Sequence, residues 1–347
     1  MGSTIFSKAM DTTSVTTHTS QNDWSISCSG SFQVSSDNFN SCVQMNVPGA
    51  VTNSYQTFTV TPSSNLSIST NYKIRVTSGV KDSSGKTMNS QYEMTNGFTT
   101  ETAPSYVAVG RNGTILTSTN GITWTSRTSG TTNSLFGVTY GKGLFLAVGV
   151  SGTILTSSDG ITWTSRTSGT SDLLEGITYG NSRFVTVGLN RTIHSSSDGV
   201  TWTERTSGTT KVLQAVTYGE GTFVVVGFAG IILTSSYGTT WTSRTTDTSN
   251  YFYGVNYVNN TFVAVGNSGT ILTSSDGTSW DNRTSGTTEN LQGVTYGNST
   301  FVTVGESGTI LTSPDGTTWT SRTSGTSEEL RDVTYGNNTF VTVGGSG

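Results

Sequence analysis

FVAVGNSGTILTSSDGTSW, from Phe262 to Trp280, decides the fold. It returns thirty-nine residues on as FVTVGESGTILTSPDGTTW, from Phe301 to Trp319. Toward the N-terminus its opening returns as FVVVG at Phe223, FVTVG at Phe184, FLAVG at Phe145 and YVAVG at Tyr106; toward the C-terminus it returns as FVTVG at Phe340. Trp124, Trp163, Trp202, Trp241, Trp280 and Trp319 keep the same spacing, without insertion or deletion. A fixed period in this range marks a solenoid, propeller or array, because each unit buries its apolar faces only against neighbours.

Four short strands fit each repeat. In the unit at Phe262, strand b is FVAVG, strand c is TILTSS from Thr270, and strand d is SWDNRT from Ser279. Strand a of the next unit is LQGVTY from Leu291. Gly, Asn and Asp clusters between them give an antiparallel meander. Meanders repeated radially are the blades of a β-propeller. The chain therefore reads as all-β, with a propeller over residues 103–347 and a separate unit over 1–102.

Strands a, c and d occur six times and strand b seven times. A six-bladed ring is favoured, closing by pairing Leu330–Tyr335 with Tyr106–Val109 and leaving Phe340–Val343 over; seven blades is the alternative. A spare strand at one end and a missing one at the other leave open β edges. Self-association through these unpaired strands is thus an expectation.

Residues 1–102 carry no trace of the period. SFQVS, TFTVTP, YKIRVTS and GFTT read as short strands between Ser/Asn/Gly turns. FSKAMD at Phe6–Asp11, LSISTNYKIRVTSGVKDSSGKTM at Leu66–Met88 and GFTT at Gly97–Thr100 resemble the bacterial Ig-like domains found on surface proteins. The resemblance implies a β-sandwich. In that family a strand precedes the FS-x-x-MD segment; almost nothing precedes Phe6, so the first strand is expected to be missing, and MGS reads as a trimmed or added end. ETAPS, with Pro104, is the linker.

The S-x-D-G-x-T-W segments, SSDGITW at Ser157–Trp163 and SPDGTTW at Ser313–Trp319 among them, resemble the Asp-box of sialidase-like bacterial propellers. Their chemistry is that of a turn: Asp accepts backbone N–H bonds, Gly takes the positive φ and Trp packs beneath. Asn120 and Tyr237 replace the Asp in two copies. Turn-capping outweighs a catalytic or metal role. A sialidase-like site would need an arginine triad, a Tyr–Glu pair and an acid Asp inside the channel. Arg127, Arg166, Arg205, Arg244, Arg283 and Arg322 instead recur once per unit in strand d, which speaks for structure. No nucleophile elbow, P-loop or metal-ligand cluster is present in the sequence. Catalysis, cofactor and metal are not expected.

Charged residues are 11% of the 347 positions, against an average of about a quarter. The net charge of −4 offers no basic stripe for phosphates, so nucleic acid is not expected as a partner. The longest apolar run, Phe223–Leu233, is too short and Gly-broken to span a membrane. Cys28 and Cys42 are the only cysteines; a disulfide between them is expected, which implies an oxidising, extracellular or cell-surface setting.

Where the repeats agree they describe framework, so candidate function lies where they differ. Before the small residue of strand a stand Phe136, Glu175, Gln214, Tyr253, Gln292 and Arg331. After strand b stand Arg111, Val150, Leu189, Phe228, Asn267 and Glu306. The b–c and d–a connections of a meander emerge on one side, so both sets share a face, with strand a innermost. Asp332 replaces a Gly or Ala, beside Arg331, and is a candidate for holding a polar ligand. Phe228, Tyr251 and Tyr253 suit stacking on a sugar or docking a protein, and would serve equally as local core. Unconstrained drift of loops also accounts for variation. His194, where other repeats have Leu, reads as a polar replacement between blades. The expectation is a non-enzymatic binding or adhesion protein for a glycan or surface protein; the alternative is an assembling structural subunit, with a glycosidase-like enzyme a distant third.

Overall fold

The computed structural model describes residues 2–5, 10–17, 28–46, 51–52, 57–63, 66–67 and 69–345. Two compact units divide at Ala103 and Pro104.

The first unit has two small antiparallel sheets. One carries Phe32–Ser35, Asn71–Val76 and Tyr92–Glu93, with Phe98–Thr99 also on Asn71–Val76. The other orders Gly2–Ile5, Thr57–Val60 and Val51–Thr52. Alternation along Asn71–Val76 sends Tyr72 and Val76 inward, where they join Phe32, Val34, Met45, Val60 and Val80 in one core. A disulfide joins Cys28 and Cys42. The first strand expected to be missing is present: Gly2 pairs with Val60 and Ile5 with Thr57. A backbone ladder needs no large side chain, so Gly2 and Ser3 gave it no signature in the sequence. Phe6–Ala9 of the FSKAMD segment lie outside the described residues.

In the second unit the meander repeats. Blade 2 runs Leu135–Gly141 (a), Leu144–Gly149 (b), Ile154–Ser157 (c) and Thr164–Arg166 (d). Blades 3 to 6 repeat this order, with strand a at Leu174–Gly180, Leu213–Gly219, Phe252–Val258 and Leu291–Gly297. Strand b is the buried spine: Val224, Val225 and Val226 are fully buried, as are Val263, Ala264 and Val265. Its side chains pack alternately on the blade before and the blade after, so Val185 and Val187 of blade 3 share a core with Leu213, Val216 and Phe223 of blade 4.

The six-bladed ring is not what forms. Blade 1 has three strands, Tyr106–Val109 (b), Ile115–Ser118 (c) and Thr125–Arg127 (d). Leu330–Gly336 does not pair with Tyr106–Val109. It forms a hairpin with Thr339–Gly344, the strand expected to be surplus, and the two make a seventh sheet. The reason is local. Asn337 and Asn338 have φ of 44° and 59°, the conformation of a two-residue hairpin turn whose twist matches the strands. That turn closes within one repeat, and it puts Thr339–Gly344 on the strand edge that Tyr106–Val109 would otherwise take.

Seven sheets nevertheless close the ring with the contacts used at other steps. Lys142 Nζ of blade 2 reaches Ser197 O of blade 3, and Asn181 Nδ2 of blade 3 reaches Ser236 O of blade 4. Asn337 Nδ2 of blade 7 likewise reaches Thr119 O of blade 1, at 3.3 Å. A Cβ on Gly238 of blade 4 would meet Val185 of blade 3, and one on Gly121 of blade 1 would meet Val341 of blade 7. Residues 96–102, which the period would make strand a of blade 1, belong to the first unit.

Candidate functional site

Each of the six inner strands breaks register once. In blade 2 Leu135 pairs with Gly149 and Gly137 with Val148, so Phe136 is an extra residue. The same bulge falls at Glu175, Gln214, Tyr253, Gln292 and Arg331. A bulge leaves one residue out of the ladder and re-aims its side chain. The positions at which the repeats differ most are therefore the ones the backbone turns out of the sheet, at one end of the channel.

Beside each bulge lies the short 3-10 turn that follows strand b. Its middle residue is left-handed, as at Ser151 with φ 55°. Backbone bonds tie the turn to the start of strand a: Val150 N donates to Ser134 O, Phe228 N to Val212 O and Asn267 N to Tyr251 O. The two variable sets thus share one face.

Three groupings result. Phe228 and Tyr251 stack at 4.4 Å with planes 3° apart, and Tyr253 meets Phe228 edge-on at 6.5 Å. Tyr251 is 42% exposed, so the stack is open to solvent. Burial pushes the Tyr253 hydroxyl above its ordinary pKa, and the charges of Glu306, Tyr251 and Glu329 act in the same direction. In the second grouping, Glu329 accepts from Gln292 Nε2 at 3.2 Å and pairs with Arg331 at 2.8 Å. In the third, burial pushes the Glu175 carboxyl up, while a hydrogen bond from Gln214 and the charge of Arg331 oppose the shift. The charge of Arg331 in blade 7 thus reaches Glu175 in blade 3.

Other candidates are placed differently. Asn267 Oδ1 accepts from Tyr251 N, which makes it a brace for the aromatic stack. Arg111 and Phe136 are exposed, and among the described residues neither makes an ion pair or ring contact with the other candidates. Glu329 joins two of the three groupings and was not among the expected site residues. Its signal was the variation two positions before the bulge, where Ser134, Leu173, Val212, Tyr251, Asn290 and Glu329 stand.

Asp332 is open to water yet enclosed by protein on most sides. Burial pushes its carboxyl up to about 6, although Oδ1 accepts from Val333 N at 2.8 Å.

The repeated polar residues are structural. Asp159 Oδ1 accepts from Ile161 N and Thr162 N, both at 2.8 Å, and Trp163 Nε1 donates to Gly160 O. Asn120 makes the same two backbone bonds. Each strand-d Arg donates through Nε to a strand-c hydroxyl, as Arg166 does to Thr156 and Arg322 to Thr312. His194 is buried in strand c of blade 3 between Thr186 and Glu204; desolvation lowers its pKa against the charges of Glu204 and Asp172. No helix among the described residues is long and apolar enough to cross a membrane.

This geometry can be set beside known proteins. Residues 3–100 match the family model of the bacterial Ig-like domain. The bacterial Ig-like unit thus accounts for the sheets around Phe32 and Tyr72. No curated protein matches the chain's sequence. Among solved structures, the chain is similar to YCF48 bound to D1 peptide, at TM-score 0.56 and 18% identity over 69% of this chain and 84% of that one. The WD40 β-propeller domain of Doa1 matches at TM-score 0.52 and 16% identity, over 69% and 85%. The extracellular domain of the putative one-component system BT4673 from B. thetaiotaomicron matches at TM-score 0.54 and 9% identity, over 70% of this chain and 37% of that one. These likenesses establish the propeller fold.

Proposed function

We propose that this protein is a non-enzymatic binding protein of the extracellular space or cell surface, in which the bacterial Ig-like unit is a spacer and the bulge-bearing face of the propeller recognises a glycan or a protein. One observation carries the reading. The β-bulge recurs in all six inner strands, and in every case it falls on a position where the repeats differ chemically. Framework repeats with side chains varied at the one re-aimed position suit recognition by a fixed scaffold.

The open Phe228–Tyr251 stack with Tyr253 supplies an apolar platform for a sugar ring or an aromatic side chain. That one propeller neighbour is bound to a peptide and another is an extracellular domain favours the same assignment. The Cys28–Cys42 disulfide suits an oxidising compartment. The S-x-D-G-x-T-W turns support a likeness of the repeats to the Asp-box propellers. Every strand-d Arg donates through Nε to a strand-c hydroxyl of its own blade, a repeated structural use that supports the non-enzymatic reading.

A glycan-array and surface-protein screen, run beside a Phe228→Ala/Tyr251→Ala/Tyr253→Ala variant, tests the proposal. Binding by the parent that is lost in the folded variant supports it; binding that survives moves the site elsewhere. A second reading, assembly through β edges, is favoured by blade 7. There Phe340 is half-buried and Val343 is 38% exposed, whereas Phe223 and Val226 of blade 4 are fully buried. Light scattering that shows a monomer at high concentration removes that reading.

A further inference from the structure

Among the described residues, no strand pairs with the inner edge of Tyr106–Val109, so blade 1 has no innermost strand. In blade 2 strand b is paired on both sides, with Gly137 to Tyr140 covering Val148 to Phe145. In blade 1 Tyr106–Val109 pairs on its outer side alone among the described residues. Val107, Ala108 and Val109 are only half-buried, where Leu146, Ala147 and Val148 are fully buried. One end of the position is filled: the Tyr106 ring reaches Gly336, the place that Tyr179, Tyr218 and Tyr335 of strand a take on Gly141, Gly180 and Gly297. The remaining length, beside Val107–Val109, is an unpaired β edge.

Asp332 stands at the register of blade 7 that meets the next blade in the ring, with its Oδ1 lying back against Gly293 of blade 6, and the vacancy accounts for it. Its counterparts are Gly or Ala because the inner strand of the next blade presses on them. A Cβ on Gly137 would lie 3.0 Å from Glu175 O and 3.4 Å from Ile177 Cγ2, and one on Gly176 would lie 3.1 Å from Ala215 Cα. With no such strand in blade 1, blade 7 accommodates a carboxylate. That carboxylate also disfavours a strand of the repeat's own kind, which would bring a backbone carbonyl against it. The same mouth carries further carboxylates. Glu175, Glu306 and Glu329 act at the mouth, and the guanidinium of Arg331 is held by Glu329.

We propose that the unfilled inner position of blade 1 docks an extended basic segment of another polypeptide, which pairs its main chain with the free edge of Tyr106–Val109 and sets a Lys or Arg side chain against Asp332. Main-chain pairing supplies the affinity of strand addition, and the charge selects the occupant. The residue that faces Asp332 is the one in register with Ile177. The occupant ends before the aromatic position, which Tyr106 already holds. This inference stands apart from the glycan-or-protein reading, whose failure would leave it intact.

The test uses the full chain and two labelled peptides. One is TENLQGVT, residues 288–295, a strand a without its Tyr; the other is the same peptide with Val294→Lys. Fluorescence anisotropy is expected to show saturable binding of the Lys peptide, weakened roughly tenfold or more by Asp332→Asn. The unmodified peptide is expected to bind Asp332→Gly more tightly than the parent. Circular dichroism checks that each protein is folded. The proposal is overturned if the Lys peptide does not bind the folded parent, or binds Asp332→Asn equally well. Tighter binding of the unmodified peptide to the parent also overturns it, by assigning the edge to a second copy of this chain.

Discussion

The Tyr106 hydroxyl donates to the backbone carbonyl of Gly336, joining the first strand of the propeller to its last hairpin across 230 residues of sequence. In the complete blades this strand-b position holds Phe, paired with a strand-a Tyr at 4.5 to 4.7 Å. Among the described residues blade 1 has no strand a, so one residue does the work of two: its ring fills the glycine's face, and its hydroxyl satisfies a carbonyl there.

Tyr106→Phe should therefore lower propeller stability by about 1 kcal/mol, the net worth of one hydrogen bond. Tyr106→Ala should cost about 3 to 5 kcal/mol, since it also empties a packed aromatic site. Denaturant melts of the full chain measure both. Equal stability of the Phe variant and the parent would show that the bond does not hold the ring closed.

Blade 4 carries an internal defect. Trp124, Trp163, Trp202, Trp280 and Trp319 donate through Nε1 to the glycine of their own turn. Trp241 Nε1 is buried without a partner among the described residues, in the repeat where Tyr237 stands for Asp. Tyr237→Asp should restore the turn and raise stability by about 1 kcal/mol, with a change in tryptophan emission. A less stable variant would mean that the turn geometry does not depend on the Asp.

Acid should act through these same turns. Backbone N–H bonds from Thr201 and Val200 hold the Asp198 carboxyl down at about 2, and Asp276 and Asp315 are also held low. A carboxyl held below its unfolded value contributes stability that is present above about pH 4 and is lost as pH falls toward 2. Asp198→Asn, the substitution that blade 1 already carries at Asn120, should flatten this part of the profile. Chemical melts at pH 2.5 and 6 read the difference, and an unchanged slope would exclude Asp198 from the acid response.

Asp332 has the opposite sign. Burial raises its carboxyl to about 6, so the stability it allows is complete below about pH 4 and falls as pH rises through 6. The backbone N–H of Val333, which donates to Oδ1, opposes the shift. Asp332→Asn should leave stability at pH 4 unchanged and raise it at pH 7.5. The effect is expected to be modest, because the carboxylate is open to water. Greater stabilisation at pH 4 than at pH 7.5 would refute the assignment.

Much of the site was legible because the repeats align themselves. The columns holding Phe136 to Arg331 and Arg111 to Glu306 were visible as variation, and meander geometry alone placed them on one face. The bulge was not visible, because no residue type marks it in all six strands. Nor was the role of Glu329, which arises from neighbours on two different strands.

Sequence by itself determined the blade: a thirty-nine-residue period, strand alternation, Gly-bearing turns and the buried strand b all follow from interactions within one repeat or between adjacent ones. Only the tertiary structure decided how the ring ends. Whether Leu330–Gly336 pairs with its own hairpin partner or with Tyr106–Val109 depends on a comparison of local and distant closure. The same closure leaves Asp332 facing an unfilled position and gives the Tyr106 hydroxyl a carbonyl to meet. A periodic sequence specifies every step of a ring in the same terms, and the one step that differs is fixed by which chain segments are left to meet there.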